Sequence, residues 1–397
     1  MKPLEGVRIA DFTVHAAGPF CTHMLSQLGA ECIKVESALR PDIFRKPHAV
    51  YGRNGPASFD QVASNKLSIR LNMKHPEGVA LAKRLVAISD VAAESFRAGV
   101  MNRLGLGYAD LKDVKPDIVM VSVSSSGQTG PDSHFAGYAP LFGAWGGLGF
   151  LSGYRDGPPM EMRHVMDHSV GLNAALATVA ALHRRRRTGQ GSHVDIAARD
   201  VASSLVGDSL MSVSAGGHIE RLGNDDYRMS PHGLYATDKP DRWLSIAVGS
   251  EGQWRAFATF AGLAHLVSDD RFCSADTRHA NRRELDVAIS AWSVGQNAEA
   301  AAAALQGVGV PAHVSFNTHD LVHDEHLRQR GAIVDVEDNG GGRRAAVGFP
   351  GRFSVSAPAT IERGTPKLGE HEDFVYGELL KMSKREIDGL IERDVIF

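Results

Sequence analysis

Asp167 is the carboxylate in this 397-residue chain whose surroundings best suit chemistry. It stands in HVMDHS, a few residues after Pro158-Pro159 and immediately before a helix expected over His168 to His183. A carboxylate at that place has two uses. As a helix N-cap it accepts backbone N–H bonds; as a nucleophile it is kept ionised and aimed by the same amides and dipole. Upstream, Gly146-Gly147-Leu148-Gly149 falls in a Gly-rich stretch, FGAWGGLGFLSG. Such a stretch lets backbone approach a reacting acyl group and turn N–H groups toward a developing oxyanion, or it is a plain flexible loop. HDLVHDEH spaces His319, His323 and His326 so that imidazoles share a helical face, as a metal site requires. No distant ligand completes that set, so the run reads as a solvated helix and no metal is expected. Cys21, Cys32 and Cys273 are odd in number and lack metal-ligand spacing, which fits reduced thiols.

The elements that hold these residues follow from pattern. Forty-three Lys and Arg against 46 Asp and Glu leave a formal charge of -3, so no global field attracts nucleic acid or anionic lipid, and an anionic ligand must be met locally. The opening MKPLEGVRIADF has no apolar run of signal-peptide length, and the most apolar helical stretch, Val170 to Leu182, is too short to cross a bilayer. A cytoplasmic protein without a membrane anchor is expected. Val7 to Phe12 and Glu31 to Glu36 read as strands around a helical Phe20 to Leu28, a right-handed parallel crossover. A helix from Pro76 to Ser89 and strands Asp90 to Glu94 and Ile118 to Ser122 extend the alternation. The fold class is therefore α/β: a large Rossmann-like parallel-sheet domain that binds ligand at its strand ends, plus a smaller α+β domain. The large domain spans 1–215, the small one 225–330, and a C-terminal segment, 335–397, returns to the large domain. Ser383 and Glu386 have the spacing of a capping box that starts a helix at Lys384. GPFCTH carries one Gly where a dinucleotide turn needs three, so a nucleotide-cofactor protein is disfavoured.

Five ordered segments carry a resemblance. GVRIADFTVHAAGPFCTHMLSQLGAECIKVE, SNKLSIRLN, ESFRAGVMNRLGLGY, SSSGQTGP and RTGQGSHVDIA have close counterparts in the class III CoA-transferases, the group that includes formyl-CoA transferase. The resemblance runs over nearly the whole chain. It implies an enzyme with Asp167 as nucleophile, passing through a mixed anhydride and an aspartyl-CoA thioester, with a CoA thioester as substrate and no permanently bound cofactor. It also implies subunits interlocked as a homodimer, or a hetero-oligomer with a related subunit that lacks the Asp.

The same resemblance places further residues. Arg40, Lys66, Arg97 and Arg103 supply cations for the CoA phosphates, with Ser95 and Phe96 in the segment that wraps CoA. Tyr138 aligns with an active-site tyrosine, or is a packed core tyrosine. His15 and Ala139 stand where formyl-CoA transferases carry Gln and Glu, and GSEGQ (Gly249 to Gln253) replaces their longer glycine run, which argues against oxalate as acceptor. Ser95 and Ala98 replace an Asn and a Pro. GYAPLFGAWGGL and RHVMDHSVGL look most like members that exchange CoA between succinate and larger acids. Two rivals share the fold: an acyl-CoA racemase or epimerase, and a non-catalytic binding subunit. The racemase type uses Gly-His-Asp where this chain has Gly137-Tyr138-Ala139, so His15, His164 or His168 would have to replace the missing base. The silent subunit would lack Asp167.

Overall fold

The computed structural model describes residues 1–45, 57–337 and 342–397. The chain divides into two compact units, one built from Met1–Gly149, Glu161–Gly217 and Asp324–Phe397, the other from Phe150–Met160 and His218–His323.

The first unit is organised by a six-stranded parallel sheet: β1 (Arg8–Phe12), β2 (Glu31–Glu36), β3 (Leu67–Arg70), β4 (Val91–Glu94), β5 (Val119–Ser124) and β6 (Ser192–Ala197), in the spatial order β3-β2-β1-β4-β5-β6. Ala10 of β1 pairs with Ile33 on one side and Ala92 on the other. β1 to β5 are buried almost throughout because both of their faces are covered, whereas the edge strand β6 alternates between half-buried and exposed positions. Successive side chains go to opposite cores. Ile9, Val91, Val119 and Val121 face one core, while Ala10, Ile33, Ile69 and Met120 face the other. Each fully buried aliphatic side chain contributes roughly 1.5–3 kcal/mol.

The helices that follow one another along this part of the chain are α1 (Ala17–Gln27), α2 (Ala57–Ala63), α3 (Pro76–Ala87), α4 (Val100–Arg103), α5 (Tyr108–Val114), α6 (Ala139–Trp145), α7 (Leu148–Leu151), α8 (Arg163–Thr188), α9 (Ala198–Ser204) and α10 (Gly207–Ser214), the last of which buries no residue. Between β1 and β4 the connections leave in opposite directions, which opens the crevice at the strand carboxyl ends where ligands bind in such sheets. The second core also takes Val375, Tyr376, Val395 and Ile396, and the Ser383–Glu386 capping box starts the helix Lys384–Glu392.

The second unit has an antiparallel sheet of β7 (His232–Ala236), β8 (Trp243–Ala247) and β9 (Ala312–Val314). Its core centres on Trp254, Phe257, Leu285 and Ile289.

Two expectations need correction. The helix expected from His168 begins at Arg163, so Asp167 lies inside it and is no N-cap; that position is taken by Met162, which makes no side-chain cap bond. The apolar stretch of α8 is also longer than expected, 24 residues from Val165 to Thr188, long and apolar enough by composition alone to cross a membrane. Met166, Val170 and Ala174 of α8 are nonetheless buried in the first unit's core, as in the central helix of a globular fold.

Candidate functional site

The segment after β1 is held on every side. Thr13 donates its N–H to Asp11 Oδ1 at 2.9 Å, and its carbonyl accepts Lys34 Nζ at 2.9 Å. Val14 exchanges both backbone groups with the Ser95 hydroxyl, at 2.9 and 3.0 Å, across from β4. His15 donates its N–H to Asp42 Oδ2 at 3.2 Å, and Asp42 also accepts Lys34 Nζ at 3.4 Å. The result is a left-handed His15, φ 67°, a conformation that side chains avoid and that persists only where neighbours over-determine it. Its exposed ring reaches Tyr138, edge to face, with centroids 6.0 Å apart. Tyr138 stands at the N-cap of α6 and is 65% exposed, so the core-tyrosine alternative fails.

Asp167 is half-buried on α8. Its two chain neighbours fix its surroundings. Met166 packs on Gly143 of α6, where a Cβ would stand 3.7 Å from the methionine Cγ. His168 lies 4.4 Å from the Phe20 ring of α1 and shares a hydrogen bond with Gln61 at 3.0 Å. One turn further, a Cβ on Gly171 would meet Ala17 O at 2.7 Å and Cys21 N at 3.1 Å, so α8 approaches the first turn of α1 backbone to backbone. Asp167 therefore sits between α1 and α6, the two helices introduced by His15 and Tyr138. As the fifth residue of its helix it has no unpaired helical amide to itself, so the expected support from free N-terminal amides does not apply. The side chain of His164 lies outside the described residues.

The cations expected to meet phosphate separate into two groups. Arg40, Arg97 and Arg103 are exposed at the carboxyl end of the sheet, after β2 and β4. Gly99, at φ 75°, turns the chain between the last two, and Arg103 Nη1 lies 3.2 Å from where a Cβ on Gly99 would stand. Lys66 does not belong with them. It is fully buried, with Nζ donating to Asp11 Oδ2 at 2.9 Å, Pro19 O at 3.0 Å and Thr22 Oγ1 at 2.7 Å, which uses all three of its protons. Burial alone would raise the Asp11 pKa, but the charges of Lys66 and Lys34 outweigh it and hold the carboxyl at about 2. Ser95 and Phe96 are committed likewise. The serine hydroxyl is engaged by Val14, and the phenylalanine ring packs on the apolar core.

Glu94, at the end of β4, is a functional candidate that no sequence motif marks. It is 2% exposed; burial pushes its carboxyl up to about 7, against the Ser122 hydroxyl and the Phe96 N–H that favour the charged form.

The Gly-rich stretch is two short helices, α6 and α7, rather than a loop. Gly146 donates its N–H to Phe142 O at 2.9 Å, and a Cβ there would meet Ala202 at 2.2 Å. It is a packing glycine, not an oxyanion donor. Gly147 keeps a positive φ of 90° next to Val206. The space over Gly143 and Gly149 is filled by the Glu161 carboxylate, 2.2 Å from where a Cβ on Gly149 would stand.

His319 and His323 approach to 4.5 Å, and Asp324 caps a separate helix, Glu325–Gln329, that holds His326. Among the described residues no group of three or more His, Cys, Asp or Glu is arranged to hold a metal ion.

The sequence model of CoA-transferase family III matches residues 4–372. Succinyl-CoA--D-citramalate CoA-transferase of Chloroflexus aurantiacus is 32% identical over all of this chain and 98% of its own length. Succinate--glutarate CoA-transferase of Agrobacterium fabrum is 33% identical over 95% of this chain and 96% of its own. A crystal structure of a CAIB/BAIF family protein from Brucella suis superposes with a TM-score of 0.86, at 30% identity, over 95% of this chain and 99% of that one.

Proposed function

This chain belongs to CoA-transferase family III, and from that premise we propose that it takes CoA from succinyl-CoA and passes it to a second carboxylic acid, with Asp167 as the covalent carrier. The observation that supports the reading is the place of Asp167 on α8 between Met166, which packs toward Gly143 of α6, and His168, which packs on Phe20 of α1. A carboxylate there reaches a thioester whose nucleotide lies toward Arg97 and Arg103.

Four displacements balance the exchange. The Asp167 carboxylate attacks the succinyl thioester carbonyl, and the C–S bond breaks to give an aspartyl-succinyl anhydride and CoA thiolate. The thiolate attacks the aspartyl carbonyl and expels succinate, leaving CoA on Asp167. The acceptor carboxylate then attacks that thioester, releasing thiolate and forming a second anhydride. Thiolate attacks its acceptor-side carbonyl, which yields the new acyl-CoA and free Asp167. Each intermediate keeps the thioester's free energy provided water is excluded.

The relatives' named substrates support succinyl-CoA as donor, and His15 and Tyr138 are the groups proposed to meet the acceptor. Acyl-CoA and acid are soluble substrates met in the cytoplasm. We also propose that two copies associate, interlocked as a homodimer. Val165, Leu172 and Leu176 of α8 are exposed at 44%, 47% and 70%, and Leu210 and Met211 of α10 at 60% and 70%. Faces this apolar favour cover by a partner.

The experiment is incubation with succinyl-CoA and a panel of carboxylates, read by mass analysis, with hydroxylamine added during turnover. New acyl-CoA and an Asp167 hydroxamate are expected. Deuterium entering the α-carbon of a branched acyl-CoA without CoA exchange would establish a racemase instead.

A further inference from the structure

Three segments, ESFRAGVMNRLGLGY, SSSGQTGP and RTGQGSHVDIA, meet at one residue, Gln128. Gln128, in SSSGQTGP after β5, donates its backbone N–H to both oxygens of Asp195 on β6, at 3.0 and 2.9 Å. Its side-chain Oε1 accepts the Gly99 N–H at 3.3 Å, and its Nε2 lies 3.4 Å from Glu94 Oε1. Glu94 Oε2 in turn accepts the Phe96 N–H at 2.7 Å. The turn 96–99 is thus anchored from beneath at both ends, Phe96 by Glu94 and Gly99 by Gln128, while Asp195 fixes Gln128 itself. What this turn presents outward is Arg97 at its apex and Arg103 folded over Gly99. Among the described residues, neither arginine has a carboxylate within salt-bridge distance, in contrast to Arg45, Arg70 and Arg185, which all do.

A side-chain amide is suited to this task because it donates and accepts at once. One end meets a carboxylate, the other a backbone N–H at a left-handed glycine that no regular element can satisfy. We propose that Gln128 is a positioning residue for coenzyme binding, holding the 96–99 turn so that Arg97 and Arg103 face the phosphates of a single CoA. This rests on the reading of the crevice as the CoA site.

The test compares Gln128→Ala and the near-isosteric Gln128→Met in the intact protein, with succinyl-CoA and with S-succinyl-pantetheine, which lacks the nucleotide phosphates. Loss of the two part-buried side-chain bonds to Gly99 and Glu94 predicts a KM for succinyl-CoA raised ~10-fold. The kcat stays within about twofold and the KM for the pantetheine thioester is unchanged, since only nucleotide binding is disturbed. In an Arg97→Ala/Arg103→Ala background the effect of Gln128→Ala should vanish, because the residues act through one another. Equal losses with both thioesters, a full loss persisting without the arginines, or no change in either variant each overturn the proposal. If the arginine variants themselves bind CoA as tightly as the parent, the CoA-site reading fails first. If they bind weakly while Gln128→Ala and Gln128→Met do not, only the role of Gln128 fails.

Discussion

The ring of His15 meets that of Tyr138 edge to face, interplanar angle 83°, although the two residues come from loops more than a hundred positions apart. The contact joins the segment after β1 to the head of α6, and α8 carries Asp167 past both. If this pair faces the acceptor acid, His15→Ala and Tyr138→Ala should each raise the acceptor KM by ~10-fold and change the ranking of dicarboxylates. CoA affinity should stay as it was. Steady-state kinetics across an acid panel checks this, and an unaltered ranking in both variants speaks against the assignment.

Asp167→Asn keeps the shape of the side chain and removes the nucleophile. The expected loss in kcat is on the order of 10³ or more, as for other covalent nucleophiles. Calorimetric titration should find CoA still bound. Retention of a tenth of the parental rate would be incompatible with a covalent role.

Lys66→Ala should act on stability rather than on CoA. It leaves Asp11 buried without its partner, at a cost of about 3–5 kcal/mol by denaturant unfolding. Replacing both, as Asp11→Asn with Lys66→Met, should cost less than either change alone. The pH dependence has a definite sign. The folded Asp11 pKa, about 2, lies below its ordinary 3.8, so its contribution is complete above pH ~4 and is lost as pH falls through 2.

Gly99→Ala forces a Cβ into a left-handed turn, at about 1–2 kcal/mol, and pushes on Arg103 Nη1. The KM for CoA thioesters should rise while the anhydride chemistry at Asp167 does not change. A variant whose single-turnover rate falls at saturating CoA thioester would contradict that separation.

Glu94 gives the opposite pH signature. Its folded pKa of about 7 stands above the ordinary 4.5, so the native state holds a proton that the unfolded chain has released, and stability falls as pH rises from 4.5 to 7. Asp195 adds to that rise. Glu94→Gln removes the titration, so its stability relative to the parent should rise by up to roughly 3 kcal/mol as pH passes from below 4.5 to above 7. Unfolding curves of both proteins at pH 5 and 8 decide it; a constant difference counts against the argument.

The parallel sheet was legible because short, largely apolar runs such as VMVSVS alternate with helical stretches, and the capping box at Ser383 because its partners are three residues apart. The start of α8 was not. Met162 leaves no polar cap to read, so the eye settles on Asp167, the first residue of capping type. Lys66 resembles a surface lysine because what buries it is Asp11, 55 positions away. The role argued for Gln128 needs three strands at once, and no local pattern encodes that.

The apolar layer beside β3 has a further consequence. It is completed by Val375, Tyr376, Val395 and Ile396, and residue 38 is tied to residue 397 by a backbone bond of 2.9 Å. During synthesis the first strands emerge from the ribosome long before those residues exist. The nascent chain must therefore carry an uncovered sheet face through some three hundred codons, a window in which chaperone capture or self-association competes with folding.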